Sequence, residues 1–133
     1  MISIENEVFN AVYEAVIASY PSAKIESTLN LDPADFPCVY LEEVDNATYT
    51  QTIDSGSYEN HASVTFELNI YSNKKAGRKA EAKDIFAIAD NLLIGWGFSR
   101  ISRTPATMDD STKYRIIARY RGLIDKNGII YRR

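Results

Sequence analysis

The sequence is poor in the residues from which most chemical sites are built. It has one cysteine, Cys38, and one histidine, His61, among 133 residues. A single cysteine closes no internal disulfide, and a histidine with no cysteine nearby and no second histidine does not make a zinc site or a metal-assisted hydrolase. Cys38 sits in PCVYL as a small buried hydrophobe would, and His61 reads as a solvated side chain. There are six glycines. Gly95-Trp96-Gly97 lacks the third glycine and the preceding strand of a dinucleotide fingerprint, and no Gly-x-x-x-x-Gly-Lys phosphate loop occurs. The carboxylate pairs Glu42-Glu43 and Asp109-Asp110 alternate faces or fall in turns, so they offer no acid–base dyad. No catalytic residue, cofactor or metal ligand follows from these residues, and the chain reads as non-enzymatic. Long apolar runs are also missing: none approaches the roughly 20 residues that cross a bilayer, so no membrane partner is expected. The N-terminal MISIENEVFNAV carries acids where a signal peptide needs a basic segment, which predicts a protein that stays where it is made.

Bases are nearly absent from one half of the chain. Residues 1–73 hold only Lys24 against twelve acids, a net of −11, whereas residues 74–133 hold fourteen bases against six acids, a net of +8. A chain of 133 residues fits one domain, 1–133, able to bury about two thirds of its unfolded surface. The charge division therefore runs through one fold. Either the halves neutralise each other inside it, or they form opposite patches that meet partners.

What is present is regular. Ile4, Val8, Val12 and Val16 recur every four residues, with Phe9, Tyr13, Ile17 and Tyr20 beside them, which predicts an amphipathic helix ended by Pro21. Strands are expected at Ala23–Thr28 and Pro37–Val44, separated by the loop LNLDPADFP. Asn46–Ser72 reads as a long hairpin about Ser55-Gly56-Ser57. Its second half buries Val64, Phe66, Leu68 and Ile70 on one face and turns Ser63, Thr65, Glu67 and Asn69 to the other, but its first half is almost wholly polar. Ser72-Asn73 can cap a second helix from Gly77 to Leu93, with Ala82, Ile85, Phe86, Ala89, Leu92 and Leu93 as its buried stripe and Gly95 and Gly97 as its stop. GWGF then closes the core with two aromatics. FSRISRTP and KYRIIARYRGLI are further strands, and the turn DKNG leads to a last strand, IIYR. The sum is an α+β two-layer sandwich: a mostly antiparallel sheet, two helices packed on one face, a polar opposite face and a long protruding β-hairpin.

Two clusters of bases stand out. Tyr114, Ile116, Ala118 and Tyr120 point to one side of their strand, and Lys113, Arg115, Arg119 and Arg121 to the other. The arginines either pair across strands with Glu67 and Glu42 or remain for a partner. Lys74, Lys75, Arg78 and Lys79 crowd the start of the second helix, where the dipole disfavours cations. They are either a solvated run or an anion-facing corner.

In order and character, the N-terminal helix, the PCVYLEE strand, the polar hairpin, VTFELNIYS, the basic start of the second helix, the GF after it and the closing YRIIARYRGLIDKNGIIYR resemble the tail terminator, or tail completion, proteins of tailed bacteriophages. The resemblance spans nearly the whole chain. It implies a non-enzymatic subunit of a ring, usually of six copies, that caps the tail tube, stops its polymerisation and presents the surface for the neck or head connector. It further implies assembly in the host bacterial cytoplasm, residence in the virion, and viral DNA passing through the lumen without sequence-specific contact. On this reading the hairpin residues Tyr49, Gln51, Ile53 and Tyr58, with Arg115, Arg119 and Arg121, are candidates for the subunit interface, because a hairpin with little apolar area needs a neighbour to hold it. The rival reading is a nucleic-acid-binding module that uses the basic sheet face, and the sequence pI near 5.2 counts against it.

Overall fold

Valines 8, 12 and 16 form one row along a helix, and α1 runs over Glu5–Ser19 with all three fully buried. Glu5 and Glu7 occupy its first turn, where the helix dipole favours acids. The computed structural model describes residues 3–30, 33, 35–48, 61–106, 112–125 and 130–131. Six strands follow from them: β1 (Lys24–Glu26), β2 (Cys38–Thr48), β3 (His61–Ser72), β4 (Ser99–Ala106), β5 (Tyr114–Asp125) and β6 (Ile130–Tyr131), with α2 (Arg78–Trp96) between β3 and β4. They form one sheet in the order β1-β2-β3-β5-β4, and β6 pairs with the far end of β5.

The pairing is antiparallel throughout except between β1 and β2, which run parallel with Ile25 opposite Val39. β2 extends past the expected end at Val44 because β3 continues to pair with it as far as Thr48 opposite Ala62. The tip of the long hairpin, including Tyr49, Gln51, Ile53, Ser55-Gly56-Ser57 and Tyr58, lies outside the described residues.

Alternation sets which side of the sheet is apolar. Val39 and Leu41 of β2, Val64, Phe66, Leu68 and Ile70 of β3, and Ile116, Ala118, Tyr120 and Ile124 of β5 form a common core with Val8, Val12 and Val16 of α1 and Ala82, Ile85, Phe86, Ala89 and Leu93 of α2. Both helices pack on this face, α1 over β2 and α2 over β3, β5 and β4, and the Tyr20 hydroxyl donates to Asp84 across the helix pair at 3.2 Å. The two-layer α+β sandwich is therefore the architecture. Leu92 corrects the expected stripe: it is only half-buried at the core's margin, one residue round the helix from Leu93.

The ends of α2 are set by glycine. Its N-cap is Gly77 in the left-handed region (φ 86°), not Ser72-Asn73, and no side chain caps it. At the other end Gly97 (φ 108°) lets its N–H reach the carbonyl of Ile94 while the N–H of Phe98 reaches that of Leu93, so two orphan carbonyls are satisfied as the chain turns into β4.

The face away from the helices is not uniformly polar, which corrects a second expectation. Cys38, Tyr40 and Tyr71 are buried there as a separate small cluster, with Leu29 and Phe36 from the segment between β1 and β2 packed against them. The parallel β1–β2 pair explains this, because the connection must cross the sheet to bring β2 back in the same direction.

Candidate functional site

On the open face, the register of β3 against β5 brings acids, amides and arginines into rows. Glu67 lies opposite Arg119, Asn69 opposite Ile117, Tyr71 opposite Arg115 and Thr65 opposite Arg121. Arg119 closes an ion pair on Glu67 (Nη2 to Oε2, 2.9 Å), and Glu67 also accepts from the amide of Asn69 at 3.0 Å. Asn69 is itself buried and accepts two hydrogen bonds from Arg115, at 3.1 Å from Nε and 2.7 Å from Nη2. Arg115 also lies over the Tyr71 ring, 5.1 Å from its centroid, and Tyr40 meets that ring edge-on at 5.9 Å. Burial raises the pKa of the Tyr71 phenol, an effect that Arg115 opposes, and the hydroxyl has no hydrogen-bond partner among the described residues.

Two of the three expected arginines are thus held within the sheet. The pairing of the stripe with Glu67 is present, while Glu42 stands directly opposite Glu67 with no base of its own among the described residues. Arg121, the third, is exposed and makes no hydrogen bond or ion pair among the described residues.

The basic corner lies at the end of β3 and the start of α2. Lys74, Lys75 and Lys79 are exposed around the start of α2, and Arg78 donates to the carbonyl of Lys75 at 3.4 Å. Ser72, buried at the end of β3, donates its hydroxyl to Glu81 at 2.8 Å and accepts the N–H of Lys74. Glu81 thereby brings one negative charge into the first turn of α2, next to the cluster.

A polar knot on the helix side was not legible in the sequence. The buried Tyr120 donates to Asp90 of α2 at 2.6 Å, and Arg100 of β4 donates to the same oxygen at 2.8 Å. Burial, then the bond to Asp90, drives the Tyr120 phenol far above its ordinary value. The knot fixes α2 to β5 and β4 at once. Its signal in the sequence was slight: Asp90 follows Ala89 beside the buried stripe.

The strand order gives the charge division a spatial form. β2 holds Glu42, Glu43 and Asp45 and no base, and α1, packed over it, holds Glu5, Glu7 and Glu14 and no base. β4 holds Arg100 and Arg103 and no acid, and the neighbouring β5 holds Arg115, Arg119 and Arg121 against Asp125. With β3 between them, the acidic and basic strands lie towards opposite lateral edges of one sheet.

Each of these edge regions is irregular in the same way. β2 carries a bulge between Glu43 and Asp45, and β4 one between Arg100 and Ser102. The residues left over, Val44 and Ile101, are exposed large hydrophobics at 42% and 47%. β1 covers β2 only through Tyr40, and beyond it the Glu43 N–H is taken up by the carboxylate of Glu5 at 3.1 Å. Arg103 lies over the Phe86 ring at 5.0 Å, and Pro105 stands in the edge strand β4, where its missing N–H costs no ladder bond.

Among the described residues no group of three or more His, Cys, Asp or Glu side chains could hold a metal, and no helix is long and apolar enough to cross a membrane. Cys38 is buried, and burial raises its thiol pKa, away from the reactive thiolate. Compared with known proteins, the chain matches no family model and no curated protein.

Proposed function

We propose that this chain is a non-enzymatic structural subunit that associates head to tail with copies of itself into a ring, and that the ring caps a phage-type tail tube. In that role it stops tube polymerisation, offers a surface to the neck or head connector, and lets viral DNA pass through its lumen without sequence-specific contact. The observation that carries this reading is the placement of acidic β2 and basic β4 towards opposite edges of one sheet. Contacts between two different faces of the same protein build rings, and opposite signs on those faces favour that pairing over either face meeting itself. The nucleic-acid reading is weaker, because Arg115 and Arg119 are engaged by Asn69 and Glu67.

Native mass spectrometry of the purified protein, alone and with tail-tube protein, tests the proposal. The expected result is one closed oligomer, alone or on the tube end. A monomer in both samples would overturn it, and DNA binding with a steep salt dependence by that monomer would favour the rival module.

A further inference from the structure

We infer that the lateral contact between subunits is made by the Val44 edge of β2 on one copy and the Ile101 edge of β4 on the next. This contact rests on the ring reading above and adds to it which surfaces meet. Three observations converge on these edges.

First, both are strand edges, which invite another chain unless something blocks them. Among the described residues β4 has β5 on one side and no strand on the other, and β2, paired with β3 along its length, has no strand on its β1 side beyond Tyr40. Second, both carry a bulge that leaves one apolar side chain exposed, Val44 in the one and Ile101 in the other. Single exposed hydrophobics are common, but these two stand at matching features of opposite edges. Third, the charges that flank them have opposite signs. Val44 lies between Glu43 and Asp45, and Ile101 follows Arg100, whose charge is matched by Asp90, and precedes the exposed Arg103.

The signs decide which edges can meet. Two β2 edges would bring acids together and two β4 edges would bring arginines together, so each edge is guarded against its own kind. Only β2 against β4 joins an apolar residue to an apolar residue with opposite charges around both. That contact is heterologous, so it propagates from copy to copy and closes into a ring when the rotation allows. The bulges, Pro105 and the Glu5 carboxylate on the Glu43 N–H disfavour a regular strand-to-strand ladder, so side chains carry the contact. The occupant is a second copy of this chain, since the two complementary surfaces belong to the same molecule.

Complementary charge-swapped variants test this. One variant carries Val44→Lys and Asp45→Lys, the other Ile101→Glu and Arg103→Glu, all at exposed positions, and circular dichroism checks that both remain folded. In sedimentation velocity, under the conditions in which wild type is oligomeric (alone or with tail-tube protein), each variant by itself should be monomeric, because its two edges now share one sign. An equimolar mixture should recover the oligomer, with the variants alternating around it. Variants that each still form the wild-type oligomer would overturn the edge contact and leave the ring reading standing. A mixture that stays monomeric under those conditions would also overturn the edge contact. A wild-type protein that is monomeric alone and with tail-tube protein would overturn the ring reading, and this contact with it.

Discussion

Phe98 lies across Gly122 so closely that a β-carbon there would stand 2.7 Å from Cδ1 and from Cε1 of its ring. The same ring meets Phe66 edge-on, with centroids 5.6 Å apart. The turn at Gly97 delivers Phe98 into this slot, and the missing side chain of residue 122 keeps the slot open. Gly122→Ala should therefore destabilise the fold by about 1–3 kcal/mol through overpacking. Chemical denaturation checks this, and Phe98→Leu in the same chain should recover part of the loss. Phe66→Ala, which removes the other wall of a fully buried site, should cost about 3–5 kcal/mol.

The Asp90 knot makes a second prediction. Tyr120→Phe removes a charge-assisted hydrogen bond but leaves Asp90 paired with Arg100, and should cost about 1.5–3 kcal/mol. Asp90→Ala should cost at least as much, since it leaves the buried Tyr120 hydroxyl without its acceptor and releases Arg100. Equal wild-type and Asp90→Ala midpoints in urea would show that the knot contributes nothing.

On the open face the expected effects are smaller. Arg119→Ala breaks an ion pair whose arginine is 53% exposed, so the loss should stay within about 1 kcal/mol. Arg119→Glu should cost more than the alanine variant, because it places a third acid beside Glu67 and Glu42. Thermal midpoints of the two variants, compared at one ionic strength, decide the order.

Glu43 gives a pH dependence. Burial raises its pKa above the ordinary carboxyl range, with Glu5 and Asp45 adding to the shift and the Asn46 amide opposing it. The folded protein therefore holds this proton more tightly than the unfolded chain does. The stability this site contributes is present below the ordinary carboxyl value and is lost as pH rises through the raised one. Glu43→Gln should raise the thermal midpoint at pH about 7 and have little effect near pH 3.5, below the ordinary carboxyl range. A variant with the same offset from wild type at both pH values would contradict this.

Much of the fold was legible because its signals were periodic. The four-residue spacing of Val8, Val12 and Val16 and the alternation from Val64 to Ile70 fixed the faces of α1 and β3, and the Tyr114–Tyr120 alternation fixed that of β5. The parallel β1–β2 pair was not legible, since a three-residue strand has no pattern that gives its direction, and with it went the cover over Tyr71. The bulges at Val44 and Ile101 were hidden for a related reason. A single extra residue in a strand changes the register without changing the composition. Charge was legible along the chain, but its division between the edges depends on β4 and β5 both lying on the far side of β3 from β2, which only the sheet order reveals.

Covalent capture reads whether opposite edges of the sheet meet between neighbouring copies. A chain carrying both Val44→Cys and Ile101→Cys, treated with a short bis-maleimide, presents one new thiol on each edge while the buried Cys38 stays out of reach. Denaturing electrophoresis of the oligomer, assembled alone or with tail-tube protein, should show a ladder of linked subunits that ends at one ring-sized band, with single-cysteine variants giving no ladder. Protein that stays monomeric on the gel, or single variants that link into dimers as readily as the double variant extends, would contradict it.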